Sequence, residues 1–358
     1  MMRLLALAMI VLCPVLPASA ADFTPSLDSM IVDYIRPAMS DFAGATEKLP
    51  EAVTSVCRTG DEKSADAFKA AYSQTLQSFA RIQFLRFGPL LDDDRLSRLA
   101  FLPDPRGIAQ RQIRKIYAKQ DADVGAPESL KGKSVAVQGL TALELIAFDK
   151  NSALVLGQPG ERKDFTCAYA QAIARNLATT AESLVADWAD PAGYSAVLLS
   201  ADAGNERFHS SREAVEAVFN ALVTGLIIVR DQDVLPALGS SREDAKPRRF
   251  PFSRSGNAVV YLTGELRGVQ DALGSLDLKE LTPDDFRWIF DTLTFEFGNA
   301  QILLTRLQPP LRQTFREGGS YEEVKVLAIA LKSIRDTMAE ELAGALELAG
   351  GFNALDGD

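Results

Sequence analysis

The chain of 358 residues is 47% hydrophobic and 24% charged, with a formal net charge of −10. That composition excludes intrinsic disorder, collagen-like repeats and a multi-span membrane protein, and the acidic balance argues against nucleic acid as a partner, because phosphate binding needs clustered Lys and Arg. His209 is the sole histidine, so no zinc site with two imidazoles can be assembled within this chain.

Residues 1–20 read as a cleaved signal peptide. Arg3 precedes an apolar run from Leu4 to Leu16, and Ala18-Ser19-Ala20 has the small-x-small pattern of a processing site. The run is too short to span a bilayer core, which needs about 20 apolar residues. Leu12 and Pro14 around Cys13 argue against a lipid anchor. Cleavage after Ala20 removes Arg3 and predicts a soluble exported protein of net charge −11.

From there the apolar spacing is helical in chain order. Thr24-Pro25 is a start signal, and Phe68, Tyr72, Leu76 and Phe79 predict a first-half helix. Arg86-Phe87-Gly88-Pro89 ends a helix with a cation suited to its C-terminal dipole. Val135 to Phe148 is an apolar segment. In the second half, Ser210-Ser211-Arg212-Glu213 is a capping box ahead of the stripe Val215, Val218, Phe219, Leu222, Val223 and Leu226. Val259, Leu262, Leu266, Val269 and Leu273 step by three and four. Thr282-Pro283, with Asp285 in the first turn, predicts the start of a helix carrying Phe286, Ile289, Phe290, Leu293, Phe297, Ala300, Leu304 and Leu307. Ser320-Tyr321-Glu322-Glu323 reads as another capping box, opening a long helix through Val324, Leu327, Leu331, Ile334, Met338, Leu342 and Leu346. No series of alternating strands with tight turns is present. The expected fold is all-α, with up-down helices in two bundles, residues 22–200 and 205–352, and a short tail at 353–358. A distant duplication of bundle on bundle is compatible with this division.

Few motifs carry chemistry. Gly125 and Gly132-Lys133-Ser134 miss phosphate-loop spacing, with six residues between the glycines instead of four and no preceding strand. Glu206-x-x-His209 has the spacing of bundle metal sites, but such sites need two such pairs; it reads as a solvated loop before a cap. Arg242, Lys246, Arg248, Arg249 and Arg254 form a basic stretch interleaved with Pro and Phe, either a solvated connection or an anion or partner site over the cleft between bundles. Glu144 is an acid in an apolar helix, one turn from Thr141, and must be paired, hydrogen-bonded or protonated. Cys57 and Cys167 favour a disulfide in an oxidising compartment, the alternative being two small buried hydrophobes.

The segment Gly139-Leu140-Thr141-Ala142-Leu143-Glu144 resembles the Gly-x-His-x-x-Glu signature of imelysin-like proteins. Gln83-Phe84-Leu85-Arg86-Phe87-Gly88-Pro89, Phe101-Leu102-Pro103-Asp104, Val229-Arg230-Asp231-Gln232, Pro251-Phe252-Ser253-Arg254-Ser255-Gly256-Asn257 and the tail from Gly351 to Asp358 are similar to further blocks of that family. The resemblance implies an exported, periplasmic two-bundle protein with the motif near the interface of the halves, and an association with iron uptake. It also implies a peptidase whose His and Glu hold a metal. Thr141 stands where that His is expected, and a hydroxyl is a poor ligand for zinc or ferrous iron.

The expected function is therefore a non-catalytic binding or accessory protein, with no catalytic or metal residues assigned. Its expected binding residues are Thr141, Glu144, Arg86, Arg254 and Gly139, and its expected ligand is a small molecule or metal ion, iron included. Two rivals stand beside it. One is a peptidase holding metal through Glu206 and His209; the other is a scaffold docking a membrane or outer-membrane protein through residues 235–257.

Overall fold

The computed structural model describes residues 21–348; the expected signal peptide at 1–20 and the tail at 353–358 lie outside the described residues. The principal helices are Arg36–Thr46 (α1), Leu49–Thr59 (α2), Glu62–Ile82 (α3), Ile108–Lys119 (α4), Gly139–Ala147 (α5), Lys163–Ala189 (α6), Ser211–Ile227 (α7), Ala258–Ser275 (α8), Trp288–Arg306 (α9) and Ser320–Asp336 (α10), joined by loops and shorter helical turns. No β-strand occurs among the described residues, only an isolated antiparallel bridge between Phe148 and Leu154. The fold is all-α, as the periodicity predicts.

The stripes bury as expected on α3, α7, α8 and α10, where nearly every named residue is inside. The helices α1, α2, α4 and α6 carry no stripe named from the sequence. α6 buries Tyr169, Ala170, Ala172, Ile173, Ala174, Leu177, Ala181, Leu184 and Trp188, among which Ala170, Ile173, Leu177, Ala181, Leu184 and Trp188 step by three and four. The exposed residues Ala168, Arg175, Thr179, Glu182, Ala186 and Ala189 line the opposite face, and alanines on both faces blur the 3.6-residue contrast in the sequence. α6 packs against α1, α2 and α5, and a disulfide between Cys57 of α2 and Cys167 of α6 settles the cysteine alternatives.

α3 packs along α8, which brings together helices from the two expected halves, and α7, α9 and α10 complete the second half around α8. The α3–α8 approach depends on glycine. A Cβ on Gly268 would lie 2.6 Å from the Arg81 carbonyl oxygen, and one on Gly264 would lie 2.7 Å from the Ala80 Cβ. Two glycines four apart thus form a groove in α8 that admits the α3 backbone.

Helix starts differ in detail from their sequence signals. Ser210 caps α7 by accepting from Glu213 N at 3.3 Å, while the Glu213 carboxylate accepts from His209 N at 2.7 Å; the reciprocal bond reaches one residue further back than expected. Thr282 does not cap: its hydroxyl donates to the Leu278 carbonyl, α9 begins only at Trp288, and Phe286 stays exposed. Ser320 lies inside α10, buried and without a capping bond, Gly319 being the cap residue. At Thr24 the capping oxygen comes from Asp22, which accepts from Thr24 N at 2.9 Å. At Ser210 and Thr24 a nearby carboxylate accepts from an amide at the helix start, and at Thr282 the hydroxyl closes the preceding turn, which shifts the boundary. No helix among the described residues is long and apolar enough to cross a membrane.

Candidate functional site

α5 is a short helix set by its first residue. Gly139 adopts φ +68°, and a Cβ there would meet the Arg98 and Leu99 carbonyl oxygens at 2.2 and 2.3 Å. Only glycine tolerates both the left-handed backbone and that contact. The tyrosine hydroxyls of Tyr169 and Tyr72 donate to the Val137 and Leu140 carbonyls at 2.6 and 2.9 Å, fixing the helix entry. So placed, α5 buries both Thr141 and Glu144.

Glu144 faces the turn at residues 250–256. Its Oε1 accepts from Ser255 N and from Ser255 Oγ, both at 2.8 Å, and Asn257 Nδ2 donates to the same Ser255 Oγ at 3.0 Å. Burial pushes the Glu144 carboxyl up from its ordinary range; the Ser255 bonds and the nearby Arg254 and Arg312 guanidiniums oppose that rise. Arg254 Nη1 donates to the Phe148 carbonyl at 3.3 Å, at the C-terminal end of α5 where a cation suits the helix dipole. Thr141 makes only a long 3.5 Å contact with the Phe101 carbonyl.

Thr141, Glu144 and Arg254 open onto one cavity of about 720 Å³, whose far wall carries Arg248, Arg249 and Arg312. The other two expected site residues are elsewhere. Gly139 borders a separate hollow of about 350 Å³, and Arg86 does not reach the large cavity's wall. Arg86 instead neighbours a buried group that the motifs do not announce.

That group is Asp233 and Glu265, both almost fully buried. A widened π-helical turn at Ile228–Val234 continues α7 and turns Asp233 inward, and Glu265 comes from α8. Gln83 Nε2 donates to Glu265 Oε1 at 3.0 Å, and the buried Tyr261 hydroxyl stands beside the same carboxyl. Burial raises Asp233 to about 7, against the pull of Glu265 and Arg86, while burial and the charge of Asp233 raise Glu265 well above its usual range. With both carboxyls raised, a proton on one lets it donate to the other. Arg86, largely buried and without a direct ion pair to either acid, lends partial charge compensation. A signal for this pair did exist in the sequence: Glu265 falls inside the α8 stripe, between Leu262 and Leu266.

The profile of the family described as Imelysin, a peptidase family, matches residues 35–338. The chain belongs to the imelysin family. The crystal structure of an imelysin-like protein from Psychrobacter arcticum superposes with a TM-score of 0.78 at 18% identity, covering 94% of this chain and 98% of that one. An iron-regulated protein A precursor from Parabacteroides distasonis gives a TM-score of 0.64 at 12% identity, over 89% and 97% of the two chains. At these identities the likeness is one of fold. No curated protein matches the chain.

A metal held at the imelysin signature would need a donor set that Glu144 does not have here. Its neighbours at Oε1 are donors, not further ligands, and two guanidiniums stand close by. Thr141 offers a hydroxyl. Among the described residues no group of three His, Cys, Asp or Glu side chains is arranged to hold a metal ion. Glu206 and His209 are exposed in the loop before α7, away from this cavity. These residues do not fit a zinc site, and no metal-dependent step is derived from them.

Proposed function

We propose that this imelysin-family protein is a non-catalytic binding or accessory protein of the periplasm, working in iron uptake and holding its ligand in the cavity at Thr141, Glu144 and Arg254. The observation that carries the reading is the state of Glu144. Its carboxylate is turned to Ser255 and flanked by arginines, an arrangement suited to orienting a polar wall and unsuited to activating a metal-bound water. The iron setting is supported by the fold shared with the iron-regulated protein A precursor, and export by the pattern of residues 1–20. A cavity of this size and mixed lining suits a small ligand.

Native mass spectrometry of the mature protein exposed to a bacterial small-molecule extract tests this. A retained molecule that is lost in Glu144→Ala and weakened in Glu144→Gln is expected. Chelator-sensitive cleavage of an unfolded substrate by the purified protein would overturn the non-catalytic reading.

A further inference from the structure

We infer that the cavity beside Glu144 is built for a small organic polyanion, a molecule with at least two carboxylate or phosphate groups that meet Arg248, Arg254 and Arg312. The inference rests on the binding role proposed above and deepens it by naming the ligand's charge and chemistry.

The argument is an accounting of charge around one cavity. Lys150, Arg248, Arg249, Arg254 and Arg312 line it, and among the described residues none of the five makes an ion pair with a carboxylate. Arg254 spends one donor on the Phe148 carbonyl, and Arg312, half-buried, makes no hydrogen bond among the described residues. Every acid of the same wall is already engaged. Asp104 accepts from Ile108 N and Ala109 N at 2.7 and 2.9 Å, capping α4. Glu144 is held by Ser255, Asp231 pairs with Arg230, and Asp233 lies against Glu265, with burial raising both carboxyls. Asp149, near Arg312, is taken up by the amides of Asn151 and Ala153 at 2.8 and 2.9 Å.

The cations are also crowded. Burial holds the Arg312 guanidinium below its ordinary range, and the charges of Arg254 and Arg248 depress it further, outweighing the pull of Glu144 and Asp149. Guanidiniums crowded at a partly enclosed space and not ion-paired with the acids that share it are preorganised for planar oxyanions, which they bind through paired N–H donors. An acidic protein that concentrates unpaired cations at one hollow directs anions there and away from the rest of its surface. Leu102, Leu145, Pro236 and Phe252 in the same lining offer apolar surface for a carbon skeleton, which bare inorganic ions would not use.

Isothermal titration of the mature protein with citrate, with and without ferric ion, and with fructose 1,6-bisphosphate tests the inference. Binding of at least one probe is expected, weakened by rising ionic strength and by about tenfold or more in Arg312→Gln and in Arg254→Gln, in line with loss of one charged hydrogen-bonding partner. Arg312→Lys, which keeps the charge and loses the fork, should lie between. Arg242→Gln, at a surface arginine facing Glu322, should bind as the unaltered protein does. Circular dichroism of each variant separates lost binding from lost folding. Comparing the probes tells a carboxylate from a phosphate ligand, and the ferric arm tells a free polycarboxylate from its chelate. Failure of every probe, or affinity unchanged in both arginine variants, overturns the inference. A neutral or cationic molecule retained in the mass-spectrometric experiment and lost in Glu144→Ala would overturn it too while leaving the binding role intact. Retention of no molecule, alongside tight citrate binding, would fall on the binding role's setting instead.

Discussion

At the scale of single residues, two buried carboxyl groups behave differently because their partners differ. Glu144 receives two donors from Ser255, so burial is offset and the group serves to pin the turn at 250–256 against α5. Glu144→Ala should leave Ser255 N without an acceptor in a partly dry site and cost about 1–3 kcal/mol of stability in denaturant unfolding. Asp233 and Glu265 have each other, and a shared proton is the cheapest arrangement. Asp233 is raised from 3.8 to about 7. Between those pH values the unfolded chain releases a proton that the folded chain keeps, so stability should fall as pH rises through that window, by at most about 1.4 kcal/mol per pH unit for one proton. Asp233→Asn should flatten this slope in melting curves taken from pH 4 to 8. An unchanged slope would show that the two acids do not share a proton.

At the scale of elements, close approach decides more than helix propensity. Gly268 admits the Arg81 backbone and Gly264 the Ala80 side chain. Gly268→Ala should therefore force α3 and α8 apart and cost about 1–3 kcal/mol, as overpacked sites do. Gly44, in α1, has nothing within 4 Å of a would-be Cβ, and Gly44→Ala should be neutral or stabilise by about 0.5–1 kcal/mol. Thermal unfolding of the two variants side by side checks both. The helices with one apolar stripe were legible because one face is dry and the other wet. The alanine-rich α6 was not, because alanines occupy both its buried and its exposed face and lower the contrast between them. The cap boundary at Thr282 went astray because its hydroxyl has another acceptor within reach, the Leu278 carbonyl, and local geometry decides between them.

At the scale of the whole molecule, the disulfide and the α3–α8 contact join distant stretches of chain. Cys57 and Cys167 are separated by 110 residues and tie α2 to α6. Closing so long a loop removes much freedom from the unfolded chain, so the double variant Cys57→Ala/Cys167→Ala should lose about 2–5 kcal/mol, measured by denaturant unfolding against the oxidised protein. α5 and the 250–256 turn, which come from the two expected halves, meet across the same assembly, and their meeting creates the cavity.

Helix content and most buried stripes follow from the order of residues alone, because burial and local hydrogen bonding leave marks at fixed short spacings. The grouping of Thr141, Glu144 and Arg254 in one cavity, the removal of Gly139 and Arg86 from it, the partnership of Asp233 with Glu265 and the arrival of Arg312 were decided by tertiary packing. Each joins residues that lie tens to more than a hundred positions apart in the chain, or turns a side chain toward a neighbour that no local spacing specifies. Charge balance within a cavity is a property of everything that lines it, and it exists only once the chain has closed around the space.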